Sequence, residues 1–383
     1  MVGCSHPFGS AEKCRKLRHL VSGASSVHPE KIERKLHHAI PCAAEAHRSG
    51  HHSGRQLMPG PNRKRVVVVD GGYQSYDIEE RVLAPLDADV IVDPCHGDPA
   101  RIKTAVAEAD AVLVRESPID AEAIACMRRC RIIARYGIGV DNVSLAAARE
   151  RRIYVSNVPD YGTEEVSDQA LALLLSVARR TVTRDHAIRG GAWNVSPGEK
   201  MYRIAGRALG LVGYGRIAHA FERKMRGLGV ARVLVYDPLL ETGTLVGVES
   251  VDLNSLCKQS DFISLHAPLT RDTSHIINSA RLALMKPTAI LVNTARGGLI
   301  DQRALAEALR SKRIFGAGID VFEHEPPGPD HPLFTLNNVV LSDHTAWYSE
   351  ESVAELQTKA AEEVARVLRG EPPRHWVNPW TGS

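Results

Sequence analysis

The sequence predicts an α/β protein made of two doubly wound parallel-sheet domains. Short apolar strands alternate with helices in two blocks, one within residues 64–162 and the other from residue 208 onwards. Strands that alternate with helices imply parallel sheets with helical crossovers. The chain has 383 residues, which suits two domains that each bury a core of their own.

The first block begins with an apolar strand at residues 65–70. Four further apolar runs predict strands at residues 89–92, 111–114, 131–134 and 153–155. One long helix, rich in Leu and Ala, is then predicted over residues 164–189, where Gly190-Gly191 ends it. The second block has predicted strands at residues 208–212, 232–236, 262–265, 289–293, 316–320 and 339–341. A final helix is predicted over residues 349–368.

The composition is that of an ordinary globular protein, with 44% hydrophobic and 24% charged residues. No apolar run approaches the ~18 residues that a membrane-spanning helix needs. The net charge of +3 is uneven, because residues 1–58 carry +5 and leave −2 for the remainder. The near-neutral remainder argues against nucleic-acid binding. Seven cysteines without a Cys-x-x-Cys pair predict neither a disulfide framework nor a metal site, and they favour the reducing cytoplasm.

Residues 1–58 predict a disordered leader that is dispensable for chemistry. This segment holds eight of the 17 histidines, including His37-His38 and His51-His52, and shows no sustained strand period. A secretory signal is poorly supported, because no apolar core of 7–15 residues follows the basic start. Metal binding by the histidines, an organelle transit peptide and a translation start at Met58 stay open as alternatives.

A glycine-rich turn follows the predicted strand at 208–212 and leads into a helix, with the sequence Gly213-Tyr214-Gly215-Arg216-Ile217-Ala218. This is the G-x-G-x-x-G/A fingerprint of a dinucleotide-binding turn in the context that it requires. Gly213 permits the tight turn, and Gly215 lets the backbone approach a pyrophosphate at the positive N-terminus of the helix. Asp237, about 20 residues on, can accept hydrogen bonds from the adenosine ribose and would repel a 2′-phosphate. The sequence therefore predicts NAD rather than NADP as the cofactor.

Three polar residues follow later strands of the second block, where parallel sheets bind ligands. Arg296 can hold a carboxylate with two parallel hydrogen bonds. His344 can donate a proton to a carbonyl oxygen, and contact with Glu325 would favour its protonated form. Taken singly, the three have ordinary interpretations as a helix-flanking charge, a satisfied surface histidine and a solvated loop acid. Together, at consecutive strand ends, they suit the reduction of a 2-keto acid.

Further motifs extend this pattern along the chain. They are Arg135-Tyr136-Gly137-Ile138-Gly139-Val140-Asp141-Asn142, Asn157-Val158-Pro159, His266-Ala267-Pro268-Leu269-Thr270 and Gly318-Ile319-Asp320-Val321-Phe322. With them, the chain resembles the D-isomer-specific 2-hydroxyacid dehydrogenases over nearly all of residues 64–370. The resemblance implies a Rossmann cofactor domain, residues 163–344, inserted into a flavodoxin-like substrate domain formed by residues 64–162 and 345–383.

The resemblance also implies site residues. Arg296, Glu325 and His344 would be the catalytic residues. Residues expected to bind NAD are Gly213, Gly215, Arg216, Ile217, Asp237, His266, Pro268, Thr294, Ala295 and Asp320. Residues expected at the substrate are Arg115, Arg135, Gly137, Ile138, Gly139 and Trp347. No metal is expected, and a homodimer through the cofactor domains is expected, helped by the apolar helix at 164–189.

The turn around His344 and Trp347 looks most like the branch of C-terminal-binding proteins and phosphoglycerate dehydrogenases. Arg115 matches an arginine near the substrate of phosphoglycerate dehydrogenases, but Glu116 after it argues against a phosphorylated substrate. Asp343 replaces a common proline. Because neighbouring extended residues point opposite ways, it is expected to face away from His344. No serine-sensing regulatory domain is expected after the last helix.

Three interpretations of function follow from the resemblance. The leading one is an NAD-dependent reductase of a small 2-keto acid, which forms the D-2-hydroxy acid. A short phosphoglycerate dehydrogenase is the second, and it belongs to the same chemical class. The third is an NADH-sensing, corepressor-like scaffold in which the dinucleotide controls assembly. The complete set of Arg296, Glu325 and His344 favours an enzyme.

Overall fold

The computed structural model describes residues 63–193, 199–240 and 246–380, which form two parallel β-sheets covered by helices. The fold class predicted from alternating strands and helices is confirmed by these sheets. The predicted leader, residues 1–58, lies outside the described residues. Within the described ranges, every helix is too short or too polar to cross a bilayer.

The first sheet has five parallel strands in the order β2-β1-β3-β4-β5. Its strands are β1 Lys64–Val68, β2 Ala88–Val92, β3 Ala111–Val114, β4 Ile132–Arg135 and β5 Tyr154–Ser156. Its connecting helices are α1 Asp77–Leu83, α2 Pro99–Val106, α3 Ala121–Cys126 and α4 Leu145–Glu150. The strand order reverses between β1 and β3, and a ligand crevice is expected at the carboxyl end of strands where such a reversal occurs.

The second sheet has seven strands in the order β12-β11-β10-β9-β6-β7-β8, all parallel. Its helices are α5 Thr163–Arg179, α6 Thr181–Arg189, α7 Arg216–Gly227, α8 Leu253–Gln259, α9 Ser279–Leu284 and α10 Gln302–Arg310. Its strands are β6 Ala208–Val212, β7 Arg232–Tyr236, β8 Glu249–Ser250, β9 Phe262–Leu265, β10 Ile290–Asn293, β11 Gly316–Ile319 and β12 Val339–Leu341. Here the order reverses between β6 and β9, as in dinucleotide-binding sheets.

The last helix, α11 Glu350–Arg369, returns the chain to the first sheet, where it packs against α1, β3 and β4. Helix α5 instead packs on β10, β11, β12 and α7 of the second sheet. Both sheets are covered on both faces. In β1, Val66 and Val68 join one buried cluster with α11, and Val67 joins another on the opposite face. The alternation along the strand thus supplies a core to each side.

Two elements differ from the prediction. The single helix expected over residues 164–189 is two helices, because Arg180 adopts a left-handed conformation with φ of 54° and ends α5. The β-branched run Thr181-Val182-Thr183 follows the break, and β-branched residues are poor helix formers. The edge strand β8 was also missed, since two residues, Glu249 and Ser250, are too short for an alternation to show.

Candidate active site

A cavity of about 650 Å³ lies between the carboxyl ends of the two sheets, and loops from both sheets line it. Thirteen of the predicted site residues line this main cavity. They are Arg115, Arg135, Ile138, Gly139, Ile217, His266, Pro268, Thr294, Ala295, Arg296, Asp320, His344 and Trp347. The predicted residues outside its lining are Gly137, Gly213, Gly215, Arg216, Asp237 and Glu325.

The fingerprint turn connects β6 to the N-terminus of α7. Gly213 has φ of 83°, and a Cβ atom there would lie 2.7 Å from the backbone nitrogen of Ala267 on the next loop. Only glycine therefore fits. At Gly215 a Cβ would meet no atom within 4 Å, so the space beside the helix N-terminus is open. Ala218 is fully buried in the core between α7 and the sheet, as expected for the third position of the fingerprint.

Asp237 follows β7 and is anchored by backbone amides. Its Oδ2 accepts a hydrogen bond from the Tyr214 amide at 2.9 Å, and its Oδ1 accepts one from the Leu239 amide at 2.9 Å. The carboxylate thereby ties the end of β7 to the glycine-rich turn. Each oxygen keeps a second lone pair, so a ribose hydroxyl can still be bound.

On the side of the second sheet, two polar side-chain atoms in the wall of the main cavity are buried without a hydrogen-bond partner among the described residues. They are Nε2 of His266 and Oγ1 of Thr294. Burial lowers the pKa of His266 to about 3, so its ring is neutral at physiological pH. Buried polar groups are normally paired, and an unpaired one in a cleft calls for a ligand or ordered water. Together with the turn and Asp237, these atoms fit a dinucleotide bound along the edge of the second sheet.

Arg296 follows β10 and reaches across to the loop after β4. Its Nε and Nη2 lie 3.3 Å and 3.2 Å from the same oxygen of Asp141, and its Nη1 donates to the carbonyl of Ala295 at 2.8 Å. The Asp141 carboxylate therefore orients the guanidinium from the opposite sheet. Burial would raise the pKa of Asp141, but Arg296 and Arg135 bring it below its usual value. The sequence motif contained Asp141, but nothing in it indicated this partner.

The loop after β4 runs between two guanidinium groups. A Cβ at Gly137 would lie 1.4 Å from Nη1 of Arg135, and a Cβ at Gly139 would lie 1.8 Å from Nη2 of Arg296. The two glycines thus allow both arginines to approach the same stretch of backbone. Nε of Arg135 is buried without a partner among the described residues, and burial lowers the pKa of its guanidinium. This combination of arginines and backbone amides suits a carboxylate.

His344 and Glu325 form a hydrogen-bonded pair. Nδ1 of His344 lies 2.6 Å from Oε2 of Glu325, whose Oε1 accepts the Phe322 amide at 2.8 Å. Burial would raise the pKa of Glu325, but the hydrogen bonds from His344 and Phe322 and the charge of Arg296 bring it below its usual value. The carboxylate is therefore ionised at neutral pH and faces the imidazole. Because Nδ1 is engaged, Nε2 is the nitrogen left for a substrate.

Asp320 holds the His344 turn in place. It is fully buried, and its carboxylate accepts hydrogen bonds from Ser342 Oγ at 2.6 Å and from the Thr345 and Ala346 amides at 3.2 Å each. Its carbonyl accepts the His344 amide at 2.8 Å. Burial raises the pKa of Asp320 against the effect of these hydrogen bonds. The resemblance places Asp320 at the nicotinamide, and the contacts give it a positioning role as well.

The backbone of His344 is left-handed, with φ of 59°. Such a conformation costs about 1–3 kcal/mol and persists where the surroundings determine it, as the Asp320 hydrogen bonds do here. Because the backbone turns here, side chains 343 and 344 do not alternate as they would in an extended strand. The expectation that Asp343 faces away from His344 rested on that alternation. Asp343 is exposed, and its Oδ1 accepts the Thr345 hydroxyl at 2.9 Å. The carboxylate hydrogen-bonded to the His344 ring is that of Glu325.

Two predicted substrate residues lie at the outer part of the main cavity. Arg115 pairs with Glu116 at 3.2 Å, and its guanidinium lies 5.9 Å from the centre of the Tyr73 ring. Trp347 packs against Tyr161, with ring centres 6.3 Å apart. Tyr161 is buried in the cavity wall and was missed, because an isolated tyrosine between two predicted elements carries no sequence signal.

No cluster of metal-ligating side chains occurs among residues 63–193, 199–240 and 246–380. The cysteines within these ranges, Cys95, Cys126, Cys130 and Cys257, are free thiols.

The chain matches a known protein-family model. The model of the D-isomer specific 2-hydroxyacid dehydrogenase NAD binding domain matches residues 171–346. The glyoxylate reductase of Korarchaeum cryptofilum is 46% identical over 266 residues, which are 68% of this chain and 80% of that protein. The D-3-phosphoglycerate dehydrogenase of Methanocaldococcus jannaschii is 38% identical over 311 residues, 76% of this chain but only 59% of that protein.

A solved structure shares the fold of this chain. The crystal structure of the TT0316 protein from Thermus thermophilus has a TM-score of 0.74 and 36% identity, and the match covers 82% of this chain and 99% of that one. The predicted family and the predicted cofactor, NAD, are thereby confirmed. The chain belongs to the D-isomer-specific 2-hydroxyacid dehydrogenases, a family of NAD-dependent oxidoreductases.

Proposed function

We propose that this enzyme reduces a small 2-keto acid to the D-2-hydroxy acid, with Arg296, His344 and Glu325 as its catalytic residues. The observation that carries the proposal is the His344–Glu325 hydrogen bond of 2.6 Å, together with the position of His344 and Arg296 in the lining of one cavity. The three residues supply a proton donor, a carboxylate that orients the donor and a cation for the substrate carboxylate.

Arg296 would bind the carboxylate of the substrate. Its guanidinium is held at the cavity wall by Asp141 and the Ala295 carbonyl, so little side-chain entropy is lost when a substrate arrives. Backbone amides of Ile138 and Gly139 would add hydrogen bonds to the same carboxylate, with Arg135 beside them. The Gly137 amide donates to the Arg135 carbonyl at 2.9 Å, so Gly137 would shape this loop.

His344 would act as the general acid in reduction and as the general base in oxidation. With Nδ1 bound to Glu325, a proton on Nε2 can pass to the carbonyl oxygen as C2 is reduced. NADH, when bound, supplies the hydride that C2 receives. The ionised Glu325 lies 2.6 Å from the ring, where its negative charge complements the proton that His344 would donate.

For the cofactor, the fingerprint turn with Arg216 and Ile217 would hold the pyrophosphate, and Asp237 would bind the ribose hydroxyls. Residues proposed for the nicotinamide end are His266, Pro268, Thr294, Ala295 and Asp320. The carboxylate of Asp237 favours NAD, since it would repel a 2′-phosphate. The buried Thr294 hydroxyl and His266 nitrogen lack partners in the described part of the chain, which supports their placement at a ligand.

A phosphorylated substrate has one structural argument in its favour, because Arg115 lines the main cavity. Its pairing with Glu116 at 3.2 Å offsets the charge that a phosphate would need. We therefore keep the phosphoglycerate dehydrogenase activity, which relatives carry in their names, as the second candidate. The scaffold interpretation has no observation of its own in the described residues.

We also propose a substrate domain of residues 64–162 and 345–383, a cofactor domain of residues 163–344, and a cytoplasmic homodimer. The packing of α11 on the first sheet and of α5 on the second supports the domain division.

Exposed apolar side chains at and after α6 support a dimer through the cofactor domains, since exposed apolar clusters mark interfaces. They are Val182, Ile188 and Trp193.

The test of the proposed function is NADH oxidation with a panel of 2-keto acids and 3-phosphohydroxypyruvate. We expect turnover with at least one unphosphorylated 2-keto acid and formation of the D-hydroxy acid, checked by chiral chromatography. Turnover of 3-phosphohydroxypyruvate alone would replace the leading proposal with the second candidate. NADH binding without any turnover would refute both and favour a scaffold.

A further inference from the structure

A second cavity, of about 760 Å³, opens on the outer side of His344. We refer to it as the side cavity, defined by the loop residues Phe322, Pro326, Pro327 and Phe334. Four residues line both this cavity and the main one: Arg115, Glu116, His344 and Trp347. A molecule whose reacting carbon lies at His344 therefore has direct access to the side cavity past Trp347.

One wall of the side cavity is apolar, and residues packed behind it hold it in place. Phe334 is 44% exposed, which is unusual for a large aromatic ring, and it faces Phe322 with ring centres 6.3 Å apart. His331 packs on both rings and is hydrogen-bonded to Gln302 at 3.1 Å. The exposed aromatic surface thus exists before any ligand binds, and small-molecule sites of this size are usually preformed and mostly apolar.

The charges around the side cavity do not favour a second anionic group. Arg115 is paired with Glu116. Asp343 adds a carboxylate whose described contact is the Thr345 hydroxyl. Glu325, which also lines the cavity, is committed to His344. A phosphate or a second carboxylate would meet this acidic rim without an unpaired cation among the described lining residues, whereas an uncharged group would meet the aromatic wall.

We propose that the side cavity is the subsite for the side chain of the substrate, and that the preferred 2-keto acid carries a bulky apolar side chain, aromatic or branched aliphatic. The proposal rests on the proposed function, since it uses His344 as the point where C2 reacts. It names a substrate class that neither glyoxylate, which has no side chain, nor a phosphorylated keto acid represents.

The experiment compares kcat/KM with NADH for phenylpyruvate, 4-methyl-2-oxopentanoate, glyoxylate and 3-phosphohydroxypyruvate. In the wild-type enzyme, one of the two bulky acids should exceed the other two substrates by about tenfold or more, the usual value of a filled apolar pocket. Phe334→Ala should lower kcat/KM for that bulky acid about tenfold and leave glyoxylate within about twofold. Phe334→Leu, which keeps apolar surface, should restore most of the loss.

Leu336→Ala is the matched control, because Leu336 lies on the same segment and packs into the core instead of lining either cavity. It should leave the ratio between the bulky acid and glyoxylate unchanged. A wild-type preference for glyoxylate or for the phosphorylated acid would overturn the proposal, as would a Phe334→Ala variant that loses both activities equally. If no 2-keto acid is reduced although NADH binds, the proposed function itself fails, and the subsite proposal fails with it.

Discussion

The two sides of the main cavity, one proposed to bind the cofactor and the other proposed to carry the chemistry, are held by different kinds of contact. On the cofactor side, the fingerprint turn depends on backbone, with Gly213 pressed against the backbone of Ala267 and the Tyr214 amide bonded to Asp237. On the chemistry side, charged side chains are tied in pairs, Arg296 with Asp141 and His344 with Glu325. A nucleotide can thus be held by groups that never change charge, whereas reduction needs groups that orient a carboxylate and release a proton.

The difference also determines how each half fails. A backbone turn tolerates most side-chain changes, but it does not tolerate a Cβ atom at a glycine with positive φ. The atoms that such a Cβ would meet belong to the backbone, which cannot move aside as a flexible side chain can. A pair of charged side chains tolerates changes in the surrounding backbone but not the loss of one partner, which leaves the other oriented and charged without its counter-ion. Substitutions in the two halves should therefore separate binding from chemistry.

The largest effect is expected on the chemistry side. His344→Ala removes the proposed proton donor and should lower kcat by about 10²–10⁴, the usual contribution of a positioned general acid. NADH affinity, measured by fluorescence titration, should stay within about twofold, since the fingerprint turn is separate from His344. Undiminished turnover on the best substrate would show that the proton comes from another group, and binding and chemistry would then not be separated between the two sides of the cavity as proposed.

Gly213→Ala tests the backbone side. A left-handed alanine with its Cβ 2.7 Å from the Ala267 nitrogen should weaken NADH binding by about 10- to 100-fold and lower the melting temperature. Gly215→Ala is the matched control, because its Cβ meets no protein atom within 4 Å. It should weaken NADH binding while the melting temperature stays the same. Equal melting temperatures for both variants would mean that the protein relaxes around residue 213.

Glu325→Gln isolates the charge of the proposed catalytic pair, His344 and Glu325. The pKa of Glu325 lies below its usual value, so the carboxylate is charged beside the ring, and the amide removes that charge while keeping a similar shape. Reduction is expected to fall at high pH, and the variant should show this fall at lower pH, because the amide no longer offers a negative charge beside the proton donor. A profile of kcat/KM against pH measures the shift. An unchanged falling limb would assign it to another group.

The smallest effect is expected for Asp237→Ala. Removing the carboxylate should weaken NADH binding and improve NADPH binding, so that the preference for NAD shifts by about 5- to 50-fold toward NADP. The ratio of kcat/KM for NADH and NADPH measures it. Because Asp237 also accepts the Tyr214 amide, Asp237→Asn keeps a hydrogen-bond acceptor and serves as the control for the turn. Equal use of both cofactors by the wild-type enzyme would contradict the proposed role of Asp237.

The sequence predicted most of the fold because its signals are local. Ten of the 11 predicted strands coincide with observed strands to within about one residue at each end, and the other, β1, ends two residues sooner at Val68. Among the strands of the described residues, the two-residue strand β8 is the one that was missed. The predicted helix over 164–189 was wrong at Arg180, where a left-handed residue ends α5. A single left-handed residue leaves no period to detect in the sequence, and the contact of the Arg180 guanidinium with the Phe315 ring at 5.0 Å joins segments that are far apart along the chain.

The sequence by itself determined the fold class, the fingerprint turn and the order of the candidate catalytic residues, because periodicity and turn chemistry depend on neighbours along the chain. Only the tertiary structure decided that Asp141 orients Arg296 from 155 positions away, that Asp320 holds a left-handed His344, and that Phe322 and Phe334 form an apolar wall beside it. Contacts between distant segments form only when the chain folds and the two sheets pack together. The distances and charge pairs of these contacts therefore cannot be predicted from the order of neighbouring residues.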